Sequence, residues 1–143
     1  MIRKTTGWQG RLFRYIAANQ KRSFDRGTFD CLRFCNGAVQ EMSGQSITHE
    51  LLGTYANDLD AVRILRNLGD NGLINEAEKA LVSAGCIEVA VPFAQTGDML
   101  FYDKGETENG FAVCVGQHAM TPGQDGLRSV PTRKAARAWR ILG

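Results

Sequence analysis

Residues 30–42 read DCLRFCNGAVQEM, and this stretch decides the fold. Apolar side chains recur every three or four positions within it, at Leu32, Cys35, Val39 and Met42. That spacing places them on one face of a helix. Asp30 precedes the pattern as a favoured N-cap residue, and Gly44 follows it as a stop signal. The sequence therefore predicts a largely buried helix over residues 31–42.

Helical spacing continues on both sides of this segment. Residues 7–19 predict an amphipathic helix, because their large apolar side chains recur at helical intervals. Leucine and valine recur in the same way over residues 59–69 and 73–84, which end at Gly69 and Gly85. Glycine at the end of such a pattern is typical of a helix C-terminus. The first 85 residues are therefore predicted to be mainly helical.

From residue 86 onward the pattern becomes strand-like. Short apolar and aromatic runs alternate with glycine and proline turns, and they cover residues 86–91, 98–102, 111–115, 118–120 and 127–130. Helices followed by short strands predict an α+β fold, with N-terminal helices packed on a small antiparallel sheet. The length of 143 residues suits one domain. We divide it into a basic helix and loop (1–29), a helical part (30–85), and the sheet with a basic tail (86–143).

Composition excludes several classes of protein. Hydrophobic residues make up 43% and charged residues 22%, which is typical of globular chains. No apolar run approaches the roughly 20 residues of a membrane span. Cys31 and Cys35 are the only cysteines that lie close in sequence, and they do not form a CxxC pair. We therefore expect no metal and no cofactor, and a thiolate-bound cluster gathered from all four cysteines is a remote alternative.

The net charge of +2 conceals three segments of different sign. Residues 1–26 carry +6, residues 27–126 carry −9, and residues 127–143 carry +5. Such segments either neutralise one another in the fold or form a surface for a charged partner. Nucleic-acid binding is a further alternative for these segments, but they contain no recognised nucleic-acid-binding motif.

Cys31 is the residue most suggestive of chemistry. It lies in the first turn of the predicted buried helix, where the helix dipole favours a thiolate. A catalytic cysteine also needs a base, usually a histidine. The two histidines are His49, in a polar stretch, and His118, at the start of a predicted strand. The alternative is that Cys31 is a packed core residue and His118 a surface residue.

Several motifs, taken in order, carry a family resemblance. They are the N-terminal amphipathic helix, FDRGTFDC at 24–31, GDMLF at 97–101, a strand ending in glycine at 111–116, PGQDGL at 122–127 and AWR at 138–140. Over residues 7–141 the sequence resembles the NlpC-like branch of the papain-like cysteine peptidases. It is more similar still to phage-encoded relatives of that branch found among tail genes.

The resemblance implies a role for particular residues. Cys31 takes the position of the nucleophile. The catalytic histidine is expected at about Gly110, where this sequence has none. His118 falls near the third, orienting position on the following strand. A thiol without its base loses assistance that is typically worth 10²–10⁴-fold in rate, so the site is expected to be vestigial.

The leading hypothesis is therefore a structural component of a phage tail tip or baseplate, with a degenerate peptidase-like fold and no enzymatic activity. It would be made in the bacterial cytoplasm and reside in the virion, with other tail proteins as partners. The basic ends lie outside the peptidase-like span of residues 31–127, so we expect them to form contact surfaces. The candidate contact residues are exposed cations: Arg11, Arg14, Arg133, Lys134 and Arg137.

The alternative is an active tail-associated cell-wall hydrolase, a cysteine peptidase or amidase that acts on bacterial peptidoglycan. Cys31 would be the nucleophile and His118 the base, with helix N-terminal amides as an oxyanion site. This alternative requires the thiol and the imidazole to lie close together beside an open cleft.

Overall fold

The computed structural model describes residues 2–25, 30–46, 72–102 and 110–143, with side chains in the third range from residue 77 onward. Within these ranges the chain forms three helices, α1 (Trp8–Asn19), α2 (Cys31–Ser43) and α3 (Gly72–Ser83). None of them combines the length and the apolar character needed to cross a membrane. The helix predicted over residues 59–69 lies outside the described residues, and so does His49.

Six strands follow the helices and form one antiparallel sheet. They are β1 (Ile87–Val89), β2 (Met99–Phe101), β3 (Phe111–Cys114), β4 (His118–Gly123), β5 (Gly126–Pro131) and β6 (Arg137–Arg140). Their spatial order is β1-β6-β2-β3-β4-β5, and every neighbouring pair is antiparallel. The predicted α+β fold, with helices packed on an antiparallel sheet, is confirmed.

Helix α2 begins where its capping residue predicts. Asp30 is fully buried, and its Oδ1 accepts a hydrogen bond from the backbone N–H of Arg33 at 2.9 Å. Its Oδ2 accepts a second bond from Nη1 of Arg33 at 3.0 Å. The helix ends at Gly44, whose left-handed φ of 79° lets its N–H reach the carbonyl of Gln40. Both ends therefore match the prediction to within one residue.

Helices α1 and α2 lie antiparallel and in close contact. The Tyr15 ring stacks on Phe34 with centroids 5.4 Å apart, and its hydroxyl donates to the Phe34 carbonyl at 2.9 Å. Gly37 permits this approach, because a Cβ there would lie 2.7 Å from Cζ of Tyr15. Near the other end of α1, Nε of Arg11 donates to the carbonyl of Glu41 at 2.7 Å. The glycine inside α2 thus serves the packing of two helices.

The orientation of α2 on the sheet is fixed at both of its ends. At the C-terminal end, Sδ of Met42 lies 3.1 Å from the position that a Cβ on Gly97 would occupy. Gly97 donates a hydrogen bond to the carbonyl of Cys114, the last residue of β3. At the N-terminal end, Leu32 and Phe111 line the same small cavity. The N-terminus of α2 therefore lies at the beginning of β3, and its C-terminus lies at the end of β3.

The two faces of the sheet bury different sets of side chains. The face toward the helices packs Met99, Phe111, Val113 and Trp139 against α1, α2 and α3. The opposite face buries a second cluster of mainly small residues, which contains Leu100, Tyr102, Ala112, Cys114, Ala119, Val130 and Ala138. A 3₁₀ turn, Val91–Phe93, and the residues around it pack against this second cluster.

The basic C-terminal tail is part of the sheet. We predicted it to be an addition to the fold, outside the peptidase-like span of residues 31–127, and the pairing of β6 with β1 and β2 corrects this expectation. β6 lies between β1 and β2, and its Trp139 is 1% exposed. Burial of Ala138, Trp139 and Ile141 explains the placement, because these apolar side chains need both faces of the sheet to be covered.

A buried ion pair holds β6 beside β2. The carboxylate of Asp98 is fully buried and accepts hydrogen bonds from Nε and Nη2 of Arg140 at 3.1 and 3.0 Å. The N–H of Gln95 donates to the same carboxylate at 2.9 Å. Nη2 of Arg140 also donates to the carbonyl of Phe93 at 2.8 Å. The pair therefore fixes the connection before β2 as well as the strand itself.

We expect Arg140→Met to lower the free energy of unfolding by about 3–5 kcal/mol, because it leaves the Asp98 carboxylate buried without its counter-charge. Arg128→Met is the matched control, since Arg128 is an exposed residue of the edge strand β5. It should change stability by no more than about 0.5 kcal/mol. Urea unfolding followed by circular dichroism measures both, and equal losses in the two variants would contradict the role of the pair.

Candidate functional site

Cys31 lies in the interior of the protein. It is the first residue of α2 and is 0% exposed, and it belongs to the core cluster between the helices and the sheet. The orientation of α2 places it near the beginning of β3. Solvent does not reach the thiol there.

The space beside this part of α2 is a small apolar cavity of about 20 Å³. Residues of α2, α3, β2 and β3 line it: Leu32, Cys35, Asn36, Ala77, Leu81, Met99 and Phe111. Ligand sites typically have volumes of about 300–1,000 Å³. This cavity is too small and too apolar to admit a peptide substrate.

Gly110 occupies the position where the resemblance expects the catalytic histidine, and the fold leaves no room there for a side chain. Its φ is +96°, a conformation that L side chains rarely adopt. A Cβ at this position would lie 2.6 Å from Cε1 of Phe101. The Phe101 ring is itself packed against Phe111, with centroids 5.3 Å apart. The packing at this end of the sheet therefore excludes the histidine that the resemblance expects at this position.

His118 is exposed and lies at the other end of the sheet. It is the first residue of β4, and its carbonyl accepts from the N–H of Val115, just beyond the end of β3. Phe111, by contrast, marks the end nearest Cys31. A strand rises about 3.3 Å per residue, so His118 lies on the order of 13 Å along the sheet from Phe111. The structure does not bring Cys31 and His118 together.

Burial affects the chemistry of the cysteine thiols. All four are buried and unpaired with one another. Burial raises the pKa of the Cys86 thiol to about 11, and it also raises the pKa values of Cys35 and Cys114. Within the described ranges, no group of three potential metal ligands comes together.

The five cations predicted as contact residues divide into two groups. Arg11 hydrogen-bonds backbone carbonyls of Glu41 and Thr6, and Arg137 forms ion pairs with glutamates of α3 and β1. These two are engaged within the fold. The others, Arg14, Arg133 and Lys134, have exposed side chains.

His118 and Arg133 line a broad surface depression that the sequence does not indicate. It has a volume of about 530 Å³ and lies between the 3₁₀ turn Val91–Phe93 and a second one, Thr132–Lys134. Both residues are conspicuous in the sequence for other reasons, His118 as a candidate base and Arg133 as a candidate contact residue. Only the fold brings their distant segments together, so no spacing in the sequence could have revealed the depression.

The ion pair of Asp98 and Arg140 could not be predicted from the sequence. In the sequence, Asp98 is notable only as part of the GDMLF motif. A charged residue directly before a buried strand is a weak signal of a buried partner, because charges are rarely buried alone. The sequence contains no signal that identifies Arg140 as that partner.

A family model described as a domain of unknown function, DUF6950, matches residues 3–141. The match covers nearly the entire chain and includes both basic ends as well as the region of Cys31. No curated protein matches this sequence.

We expect Gly110→Ala to destabilise the protein more than Gly116→Ala. Both glycines have positive φ, at +96° and +120°, so alanine carries a similar backbone penalty at each. Only the Cβ at Gly110 meets the Phe101 ring, whereas nothing lies within 4 Å of a Cβ at Gly116. The difference in urea midpoint between the two variants measures the clash. Equal midpoints would show that a side chain is tolerated where the resemblance expects the histidine.

The free energy of unfolding should fall as the pH rises from about 9 toward 11. The Cys86 thiol has an ordinary pKa of 9.0, and burial raises it to about 11 in the folded protein. Between these values the unfolded state binds fewer protons than the folded state, so alkali favours unfolding. The contribution is complete below pH 9 and disappears above pH 11.

Cys86→Ala tests this effect, because the other buried thiols whose pKa is raised, Cys35 and Cys114, are present in both proteins. The variant should lose less stability than the wild type between pH 8.5 and 10.5 in urea titrations. If the free energies of unfolding of the two proteins change with pH in parallel, the pKa of Cys86 is not raised in the folded protein.

Proposed function

Since the chain belongs to the DUF6950 family of domains of unknown function, we propose that it is a non-catalytic structural component of a phage tail tip or baseplate. The tail assignment rests on the resemblance of the sequence to phage tail-associated relatives of the NlpC-like peptidases. The α+β fold, with a cysteine at the start of a helix packed on an antiparallel sheet, is consistent with that resemblance.

One observation carries the non-catalytic assignment: Cys31 is fully buried and distant from the exposed His118. A nucleophilic cysteine needs a base within about 3 Å and a path for its substrate. The cavity beside α2 is small and apolar, and Gly110 is closed to a histidine. Each of these features independently opposes hydrolysis.

The location of Cys31 suits a packing role. Buried cysteine behaves as a small hydrophobic residue. Cys31 lies in the same core cluster as Phe34, Met99 and Phe111, so it helps to join α2 to the sheet. Such a scaffold presents its outer surfaces to neighbours, and the exposed cations Arg14, Arg133 and Lys134 are the candidates for those contacts.

The competing function is an active peptidoglycan hydrolase. It is favoured by a single feature, the location of Cys31 at the helix N-terminus. Direct measurement separates the two functions. Removal of the thiol abolishes the activity of a hydrolase, whereas it leaves the role of a structural protein intact.

Purified wild type, Cys31→Ala and Cys114→Ala should all leave peptidoglycan and its peptide fragments intact in mass-spectrometric assays. Cys114→Ala is the matched control, since it removes another fully buried thiol from the opposite face of the sheet. Release of fragments by the wild type and the control, but not by Cys31→Ala, would overturn the non-catalytic assignment.

The structural assignment has its own test. Phage that carry Cys31→Ser, in which the thiol becomes a hydroxyl of similar size, should assemble tails that contain the protein and should remain infectious. Complete virions that lack the protein, detected by mass spectrometry of purified particles, would overturn the tail assignment even if no hydrolysis is found.

A further inference from the structure

The depression between the two 3₁₀ turns has the dimensions of a ligand site. Its volume of about 530 Å³ lies within the usual range of 300–1,000 Å³. Residues from three segments line it: Val91, Pro92, Ala94, Gly116, Gln117, His118, Pro131, Thr132 and Arg133. It is distinct from the cavity beside α2, with which it shares no lining residue.

The guanidinium of Arg133 gives the depression a positive charge. His118 lines it as well, and no aspartate or glutamate does so among the described residues. Arg33, Arg137 and Arg140 each form an ion pair inside the fold. Within the described part of the chain, Arg133 has no such carboxylate. An exposed guanidinium beside a concave surface therefore remains available for an external carboxylate.

Hydrogen bonds hold the wall beneath Arg133 in place. The Thr132 hydroxyl donates to the carbonyl of Gly116 at 2.8 Å, and its N–H donates to the carbonyl of Gln117 at 3.0 Å. The hydroxyl of buried Tyr102 donates to the carbonyl of Pro131 at 2.9 Å. The depression is thus formed before any ligand arrives, and preorganisation of this kind lowers the entropic cost of binding.

Apolar side chains make up part of the lining, beside the polar residues Gln117 and Thr132. Val91, Pro92, Ala94 and Pro131 supply the apolar lining. Phe93 lies between two of the lining residues and is 72% exposed, although its carbonyl is held by Arg140. A large exposed aromatic ring on a fixed turn is characteristic of an interaction site. The apolar surface therefore extends beyond the depression itself.

We propose that this depression docks an acidic peptide segment of a partner protein, with a glutamate or aspartate at Arg133 and His118 and flanking apolar side chains against Pro92, Pro131 and Phe93. Among the described residues that line the depression, Arg133 is the one arginine or lysine, which is too few for the many phosphate contacts of nucleic-acid binding. The apolar surface outside the depression suits a chain segment more than a free small acid. The proposal goes beyond the tail assignment and does not depend on it.

The test is an NMR titration of the ¹⁵N-labelled full chain with the acetylated and amidated peptide Leu-Glu-Phe-Glu-Leu. The amides of Gln117, His118 and Arg133 should shift progressively and saturate. The same peptide with glutamine in place of glutamate should bind roughly five- to tenfold more weakly, because it lacks the charge-assisted hydrogen bonds. Absence of saturable shifts at millimolar peptide, or equal binding of the two peptides, would overturn the proposal.

Variants locate the site on the protein. Arg133→Gln should weaken binding of the acidic peptide by a similar factor, and Arg128→Gln, which changes a cation outside the depression, should leave binding unchanged. Both residues are exposed, so neither variant should disturb the fold, and the spectra themselves verify this. Equal losses of peptide affinity in both variants would indicate non-specific charge attraction and would overturn the site.

Two other ligands test the nature of the occupant. If N-acetylleucine binds as tightly as the peptide, or if a short DNA strand displaces the peptide, the occupant is not a peptide segment and the proposal fails.

Discussion

The buried pair of Asp98 and Arg140 is the interaction on which the arrangement of the sheet depends. It joins the residue before β2 to the last residue of β6 and also holds the turn that contains Phe93. A buried ion pair contributes little net stability over an apolar alternative, but leaving one partner unpaired is costly. The pair therefore acts chiefly by excluding other registers of β6, since any slip along β2 would leave a charge buried alone.

The register of β6 has consequences for the candidate site. Leu100 and Ala138 are paired across β2 and β6 and face the second cluster, so Met99 and Trp139 face the helices. This alternation places Phe111 under α2, against the cavity that Leu32 also lines. The same apolar packing that secures the helix on the sheet fills the space that a substrate would need.

Local patterns in the sequence were sufficient to predict much of the fold. Helix α2 was predictable because its cap, its apolar spacing and its terminating glycine all agree. The tail was not, since Arg137 and Arg140 make β6 look solvent-exposed until their partners are known. Those partners lie 42 to 59 residues earlier in the chain, and pairings over such distances depend on topology rather than on neighbouring residues.

For the candidate site too, local sequence patterns predicted only part of the arrangement. Cys31 could be placed at the start of a buried helix, and the structure has it there. The position of His118 depended on the registers of β3 and β4, which the sequence leaves open. Because His118 opposes Pro131 and lies just beyond Cys114, it belongs to the end of the sheet away from Cys31. A shift of a few residues in the pairing of β3 with β4 therefore decides whether His118 lies near Cys31 or at the surface.

The distribution of charge along the sequence is explained in part by ion pairs within the fold. The two basic ends and the acidic middle are partly neutralised inside the fold, through the pairs of Arg140 with Asp98 and of Arg137 with Glu78 and Glu88. The segment sums therefore do not describe the charge at the surface. Among the described residues Arg133 forms no ion pair with a carboxylate, and it lies beside a preformed concave surface and a turn with an exposed aromatic ring. An interaction site is thus favoured where the folding pairs leave a cation unmatched.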